Sequence, residues 1–237
     1  MRLCCASLVT LALAPGAYAG IIYSISDASG LSGETEFSLQ NFGTELVVRA
    51  RNTSTGVPVT FDNSDQILTG ISWDFGHPGF NGDVMITGGS VFTGPNSQSV
   101  NFSILNVGPN ADVSGEWGFG NTDGSGALAN FISASTAGAT PFGGTNLDGP
   151  VSIDGPSGGL ISAAFALPLG GLGAIEDEIF ATLFLSEAMT DEQLAIDLAG
   201  NGVRFEFGSD AAFFTVPAPG ALGLLVLAGM TSRRRRS

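Results

Sequence analysis

Gly155-Pro156-Ser157-Gly158-Gly159 spells G-x-S-x-G, the pattern of a serine held for nucleophilic attack, and the single histidine of the chain is His77. That chemistry needs a strand before the serine, a helix after it, and a histidine later in the chain to take its proton. Here the histidine comes first and Gly/Pro neighbours favour a plain turn, so no catalytic residue is assigned. Two oxygen-rich stretches could hold a hard cation such as calcium, the only cofactor considered. Asn121-Thr122-Asp123-Gly124-Ser125-Gly126 has the look of a calcium loop, but its twelfth position is Ile132 where an EF-hand needs an acid. Asp62-Asn63-Ser64-Asp65 offers closely spaced oxygens but reads better as a turn bonded to its own backbone. Asp62, Asp65 and Asp123 are therefore the metal candidates. "WDFGHPGFNGD" at 73–83 combines the residue types of a sugar-binding loop, in which aromatic faces stack on rings while amides and carboxylates fix hydroxyls. Trp73, His77, Asn81 and Asp83 are the ligand candidates. The competing reading makes Trp73 and Phe75 core residues at a strand end, because large aromatics usually bury.

The elements that must carry these residues are short. "IIYSIS", "TEFSLQNFG", "TELVVRA", "ILTGISWDF", "DVMITGGSVF", "SVNFSILNV", "DVSGEWGFG", "ANFISAS", "IFATLFLS" and "GVRFEFGS" are rich in β-branched and aromatic residues. Asn-Gly and Asp-Gly turn signals separate many of them. The pattern predicts an all-β fold: one antiparallel β-sandwich or jelly roll. One segment departs from it. Thr190-Asp191-Glu192-Gln193 predicts a capping box opening a short surface helix near 191–199, with Leu194, Ala195 and Leu198 on one face and Gly200 closing it.

Charge and cysteine restrict function. Met1-Arg2, an uncharged apolar run to Ala14, and Ala17-Tyr18-Ala19 fit a secretory signal peptide over residues 1–19, cut after Ala19 by signal peptidase. Both cysteines lie inside it, so the exported chain is expected to lack disulfides and thiolate chemistry. Residues 20–215, the expected acidic Gly-rich β domain, carry three arginines and all 22 acids, a net charge of −19. Nucleic acid is not an expected partner, since phosphate binding needs clustered cations.

Residues 216–237 form the expected tail. After Val216-Pro217-Ala218-Pro219 comes an uncharged apolar stretch, then Arg233, Arg234, Arg235 and Arg236. A helix from Gly220 to Ser232 would be roughly 20 Å long, against a hydrocarbon core of about 30 Å, so it would insert marginally, with the arginines as a cytoplasmic stop. This layout resembles the bacterial PEP-CTERM sorting signal processed by exosortases, with Ala218 where the usual motif has Glu. "GEW" at 115–117, "NLDGP" at 146–150, "DGPSGGLIS" at 154–162 and "GVRFEFGS" resemble exosortase-dependent surface proteins of the XDD type, with Gly158 where that group tends to have a large residue. The resemblance implies an exported protein of the cell surface or extracellular matrix, with a transient membrane intermediate and extracellular polysaccharide as a possible associate. No activity is established for that group, and a structural or interaction role without catalysis is the expectation. A carbohydrate- or calcium-binding adhesion module is the alternative, and a secreted hydrolase the third reading.

Overall fold

The computed structural model describes residues 20–55, 64–75, 84–100, 107–121, 129–136, 138–147, 157–162, 173–209 and 212–216. The first strands are β1 (Ile21–Ser26), β2 (Ser32–Gln40), β3 (Glu45–Asn52), β4 (Leu68–Trp73) and β5 (Ile86–Thr93). Shorter ones follow: β6 (Ser99–Val100), β7 (Gly118–Gly120), β8 (Asn130–Ser133), β9 (Thr140–Pro141), β10 (Leu160–Ile161) and β11 (Ala174–Glu176). The long β12 (Glu178–Leu185), helix α1 (Asp191–Asn201), β13 (Val203–Phe207) and β14 (Ala212–Val216) complete the order. The fold is all-β with one helix, as the turn-separated runs predict.

Two sheets form. The first has the order β1-β2-β3-β12-β5, antiparallel throughout. The second runs β6-β11-β10-β4-β8-β7-β9, with β13 also on β4 and β14 beyond it. One pair in it, β10 with β11, is parallel, so this sheet is mixed rather than wholly antiparallel.

Alternation dictates the first sheet. In β2 and β3 every second residue is buried, which is the period-two signature of a strand with one solvated face. Register then aligns the buried set across strands: Phe37 faces Val48, Val48 faces Ala181, and Ala181 faces Val91. The apolar face of the second sheet supplies Leu68, Ile71, Trp73, Trp117, Ile132, Leu160 and Phe205 to the same core. An edge-on aromatic chain crosses it, with ring centres 6.2 Å apart for Tyr23–Phe37, 5.3 Å for Phe37–Trp73 and 5.8 Å for Trp73–Phe75. Such pairs contribute about 0.5–1.5 kcal/mol each beyond the area they bury.

Helix α1 opens on the predicted box. Thr190 accepts from the Gln193 N–H, and the Gln193 side chain accepts from the Thr190 N–H. Leu194 and Leu198 are buried, an i, i+4 pair, whereas Ala195 is exposed and lies off that face. The helix also runs past Gly200. Its cap is Gly202, at φ +80°, where a Cβ would stand 2.5 Å from the Val216 carbonyl oxygen. A glycine is needed there on both counts.

Candidate functional site

The candidate site is a cleft at one end of the sandwich. Strand β4 turns Trp73 inward, and the next two residues, Asp74 and Phe75, leave the sheet at its end. Strand β7 gives way to Asn121, Ala129 leads into β8 at Asn130, and Val84 and Met85 lead into β5. These seven residues line a cavity of about 290 Å³. Asn121 joins the two sheets across it. Its Oδ1 accepts from the Ile86 N–H at 2.9 Å, and its Nδ2 donates to the Ile86 carbonyl at 3.3 Å, the bonds a neighbouring strand would make. Phe75 is buried, Asn130 is buried, and Met85 is 47% exposed. The cleft thus offers an apolar base, amide and carboxylate groups, and a flexible thioether at the rim, enough to hold a small hydroxylated molecule.

Two of the sequence stretches meet here. Asp74 and Phe75 come from the proposed sugar-binding run and Asn121 from the proposed calcium loop. Trp73 is not available to a ligand: it is 0% exposed and wedged edge-on between Phe37 and Phe75. The core reading of Trp73 and Phe75 is the one the packing supports. Asp65 is exposed in a 3-10 turn before β4, at the end of that strand opposite the cleft. Among the described residues no three His, Cys, Asp or Glu side chains gather closely enough to hold a metal ion. Asp62, His77, Asn81, Asp83 and Asp123 lie outside the described residues, as do Ala19, Pro217, Ala218, Pro219 and Arg233 to Arg236. Val216 is inside the fold: it pairs with Val203 and is 6% exposed. Ser157 sits in a turn followed by β10, a strand where the nucleophile elbow needs a helix.

Three other motif stretches converge elsewhere in the fold. Trp117 Nε1 donates to the Gly158 carbonyl at 3.1 Å. Glu116, 3% exposed, accepts from the Leu147 N–H. Gly158 has φ +78°, and a Cβ there would lie 2.8 Å from the Glu116 Cβ, so the glycine is demanded by backbone and neighbour alike. "GEW", "NLD" and "SGG" therefore latch one another through buried hydrogen bonds, an arrangement in which each partner satisfies a group that would be costly to leave alone. "GVRFEFGS" contributes differently. Glu206 reaches across Gly70, where a Cβ would come within 2.7 Å of it, and accepts from Ser135 Oγ at 2.8 Å. Arg204 lies over the Phe213 ring at 4.8 Å; burial lowers its affinity for the proton, and Glu206 opposes that.

The other two arginines of the body are spent on the outer face of the first sheet. Arg49 Nε meets Glu178 at 2.6 Å, and its guanidinium lies 3.6 Å from Glu36. Burial works against its charge, but the bond and field of Glu178, aided by Glu34 and Glu36, outweigh it and raise the pKa above its ordinary value. Arg51 holds Asp177 at 3.0 Å. Asp177 adopts φ +74° to aim that carboxylate, a left-handed conformation uncommon outside glycine. Sequence reasoning passed over this network. Its signals were present: Arg49 and Arg51 are two apart on an alternating strand, and Asp177-Glu178 stands at the start of the strand that pairs with it.

In comparisons with known proteins the chain matches no family model, no curated protein and no solved structure.

Proposed function

We propose that this chain is an exported bacterial surface or extracellular-matrix protein. A signal peptide is removed after Ala19, an exosortase removes the tail, and the acidic β domain left behind has a structural or interaction role without catalysis. One observation carries the reading. An N-terminal apolar run ending in Ala17-Tyr18-Ala19 and a C-terminal Val216-Pro217-Ala218-Pro219 followed by an uncharged apolar stretch and Arg233 to Arg236 stand at opposite ends of one acidic chain. Because Val216 is buried and paired, the stretch offered to the sorting enzyme starts no earlier than Pro217. Intact mass of protein recovered from the cell surface or matrix, in cells with and without the sorting enzyme, tests this. The expected mature chain starts at Gly20 and ends between Val216 and Pro219. A C-terminus at Ser237 in both strains would mean the tail is a permanent anchor.

The cleft favours a second reading, a carbohydrate-binding adhesion module. Its 290 Å³ suits one sugar unit rather than a chain, at the small end of ligand sites. The carboxylate of Asp74 in the lining favours a neutral sugar over an acidic one. On a glycan array, specific binding to neutral glycans should disappear in Met85→Arg, which fills the cleft from an exposed position, and weaken in Asp74→Ala. Binding that survives both substitutions, or none to any glycan, would remove this reading and leave the first intact.

A further inference from the structure

Gly20, the residue before β1, packs against Glu36 of β2. A Cβ at Gly20 would stand 2.1 Å from Glu36 Oε1 and 2.4 Å from its Cγ. A backbone nitrogen lies about 2.5 Å from its own Cβ position, so the nitrogen of Gly20 is within about 4.6 Å of that oxygen. Register accounts for the contact. Glu36 faces Ile22 directly, and Gly20 is its diagonal neighbour two residues back along the edge strand.

In the precursor this nitrogen is a neutral amide. After cleavage following Ala19, the reading on which this inference rests, it is an α-ammonium. We infer that removal of the signal peptide creates an ion pair between the new N-terminus at Gly20 and Glu36, fastening edge strand β1 to β2. The two oxygens of Glu36 serve separate cations: Oε1 faces Gly20, while Oε2 lies 3.6 Å from Arg49. The charged groups around the ammonium are therefore Glu36 itself, Glu34 beside it on β2 and Arg49 behind it on β3. The row directly opposite, Ser38, Val47, Thr182 and Ser90, is uncharged. Glycine suits the position, since a side chain would displace the carboxylate that the ammonium needs.

The chain provides its own probe. It contains no lysine, so after maturation the α-amine of Gly20 is the only primary amine in the protein. The experiment uses the chain from Gly20 onward, its N-terminus verified by mass, and follows the rate of amine acylation against pH. The midpoint of that profile, rather than the rate itself, reports the pKa. In the folded protein it should lie about half a unit or more above that of the urea-unfolded chain, whose α-amine titrates near its ordinary 7.7–8.0. The acidic body raises the midpoint as well, so the comparison that decides is between variants. Glu36→Gln should lower the midpoint, while Glu192→Gln, a remote exposed acid on α1, should leave it unchanged. A form that retains Ala19 should behave like Glu36→Gln, because its ammonium starts one residue farther away. Equal midpoints for wild type and Glu36→Gln, both folded by circular dichroism, would overturn the inference. Should the exported protein begin at a residue other than Gly20, the cleavage reading fails separately, and the same labelling on a chain released at Gly20 still decides whether the pair forms.

Discussion

Tyr23 sits at the outer end of the aromatic chain, 1% exposed, and burial pushes its phenol up to about 12. The only other tyrosine, Tyr18, lies in the expected signal peptide, so a mature chain would carry one phenol and its absorbance would report one site. The sign is fixed by which form the core tolerates. The folded state resists ionisation, whereas the unfolded chain ionises near 10. Stability from this residue is whole below about pH 10 and is lost as pH climbs from there toward 12. Phenolate absorbance should stay low past pH 10 and rise together with loss of the folded signal; a midpoint near 10 with the fold intact would show the ring to be solvated. At this scale the sequence was legible only in part. Trp73 was readable as core or as ligand platform, and spacing along the chain has no means of deciding which way an indole turns. The convergence of Glu116, Leu147 and Gly158 was unreadable for a different reason: the partners lie about thirty to forty residues apart, and what joins them is a hydrogen bond and a positive φ.

Alternation made the long strands legible, since β2, β3 and β12 each bury a whole face and leave the period-two mark in their residues. Strands β9, β10 and β11 escaped notice because two or three residues are too few for any period, and their pairing is set by neighbours rather than by their own sequence. Strand β14 escaped for the opposite reason. "AFFTV" has the alternation and composition of a strand after the Gly208-Ser209-Asp210 turn signal, but it adjoins an uncharged tail and blends into it. It pairs with β13 along its whole length, and Phe214 packs edge-on to Phe207 at 5.8 Å. A chain ending at Val216 should therefore melt as the longer chain does. One ending at Asp210 strips the partner from β13, uncovers Phe207 and removes the ring under Arg204, so it should melt well below or fail to fold. Equal melting of the two truncated forms would show β14 to be dispensable and would move the end of the domain back to the β13 turn.

Taken as a whole, the body places 22 acids against three arginines, and all three arginines are engaged, two in a carboxylate network and one over an aromatic ring beside Glu206. The remaining charge has one sign. Such a surface keeps the protein soluble and apart from its own kind, while its self-repulsion works against the compact state. Added salt should therefore raise the melting midpoint, because at 0.1 M the screening length falls to about 10 Å, shorter than the span between most surface acids. The informative comparison holds ionic strength constant and exchanges sodium for calcium. If the acids are a solvating coat, the two midpoints coincide. If oxygen-rich loops gather them around an ion, calcium adds stability by mass action, about 2.7 kcal/mol at a hundred times its dissociation constant, and the excess should vanish when Asp62, Asp65 and Asp123 are replaced by asparagine. The coat is the expected outcome. Several of the described acids are already bonded: Glu178 to Arg49, Glu206 to the Ser135 hydroxyl and Glu116 to the Leu147 N–H. A higher midpoint in calcium at matched ionic strength would overturn that expectation and favour the adhesion reading over a purely structural one.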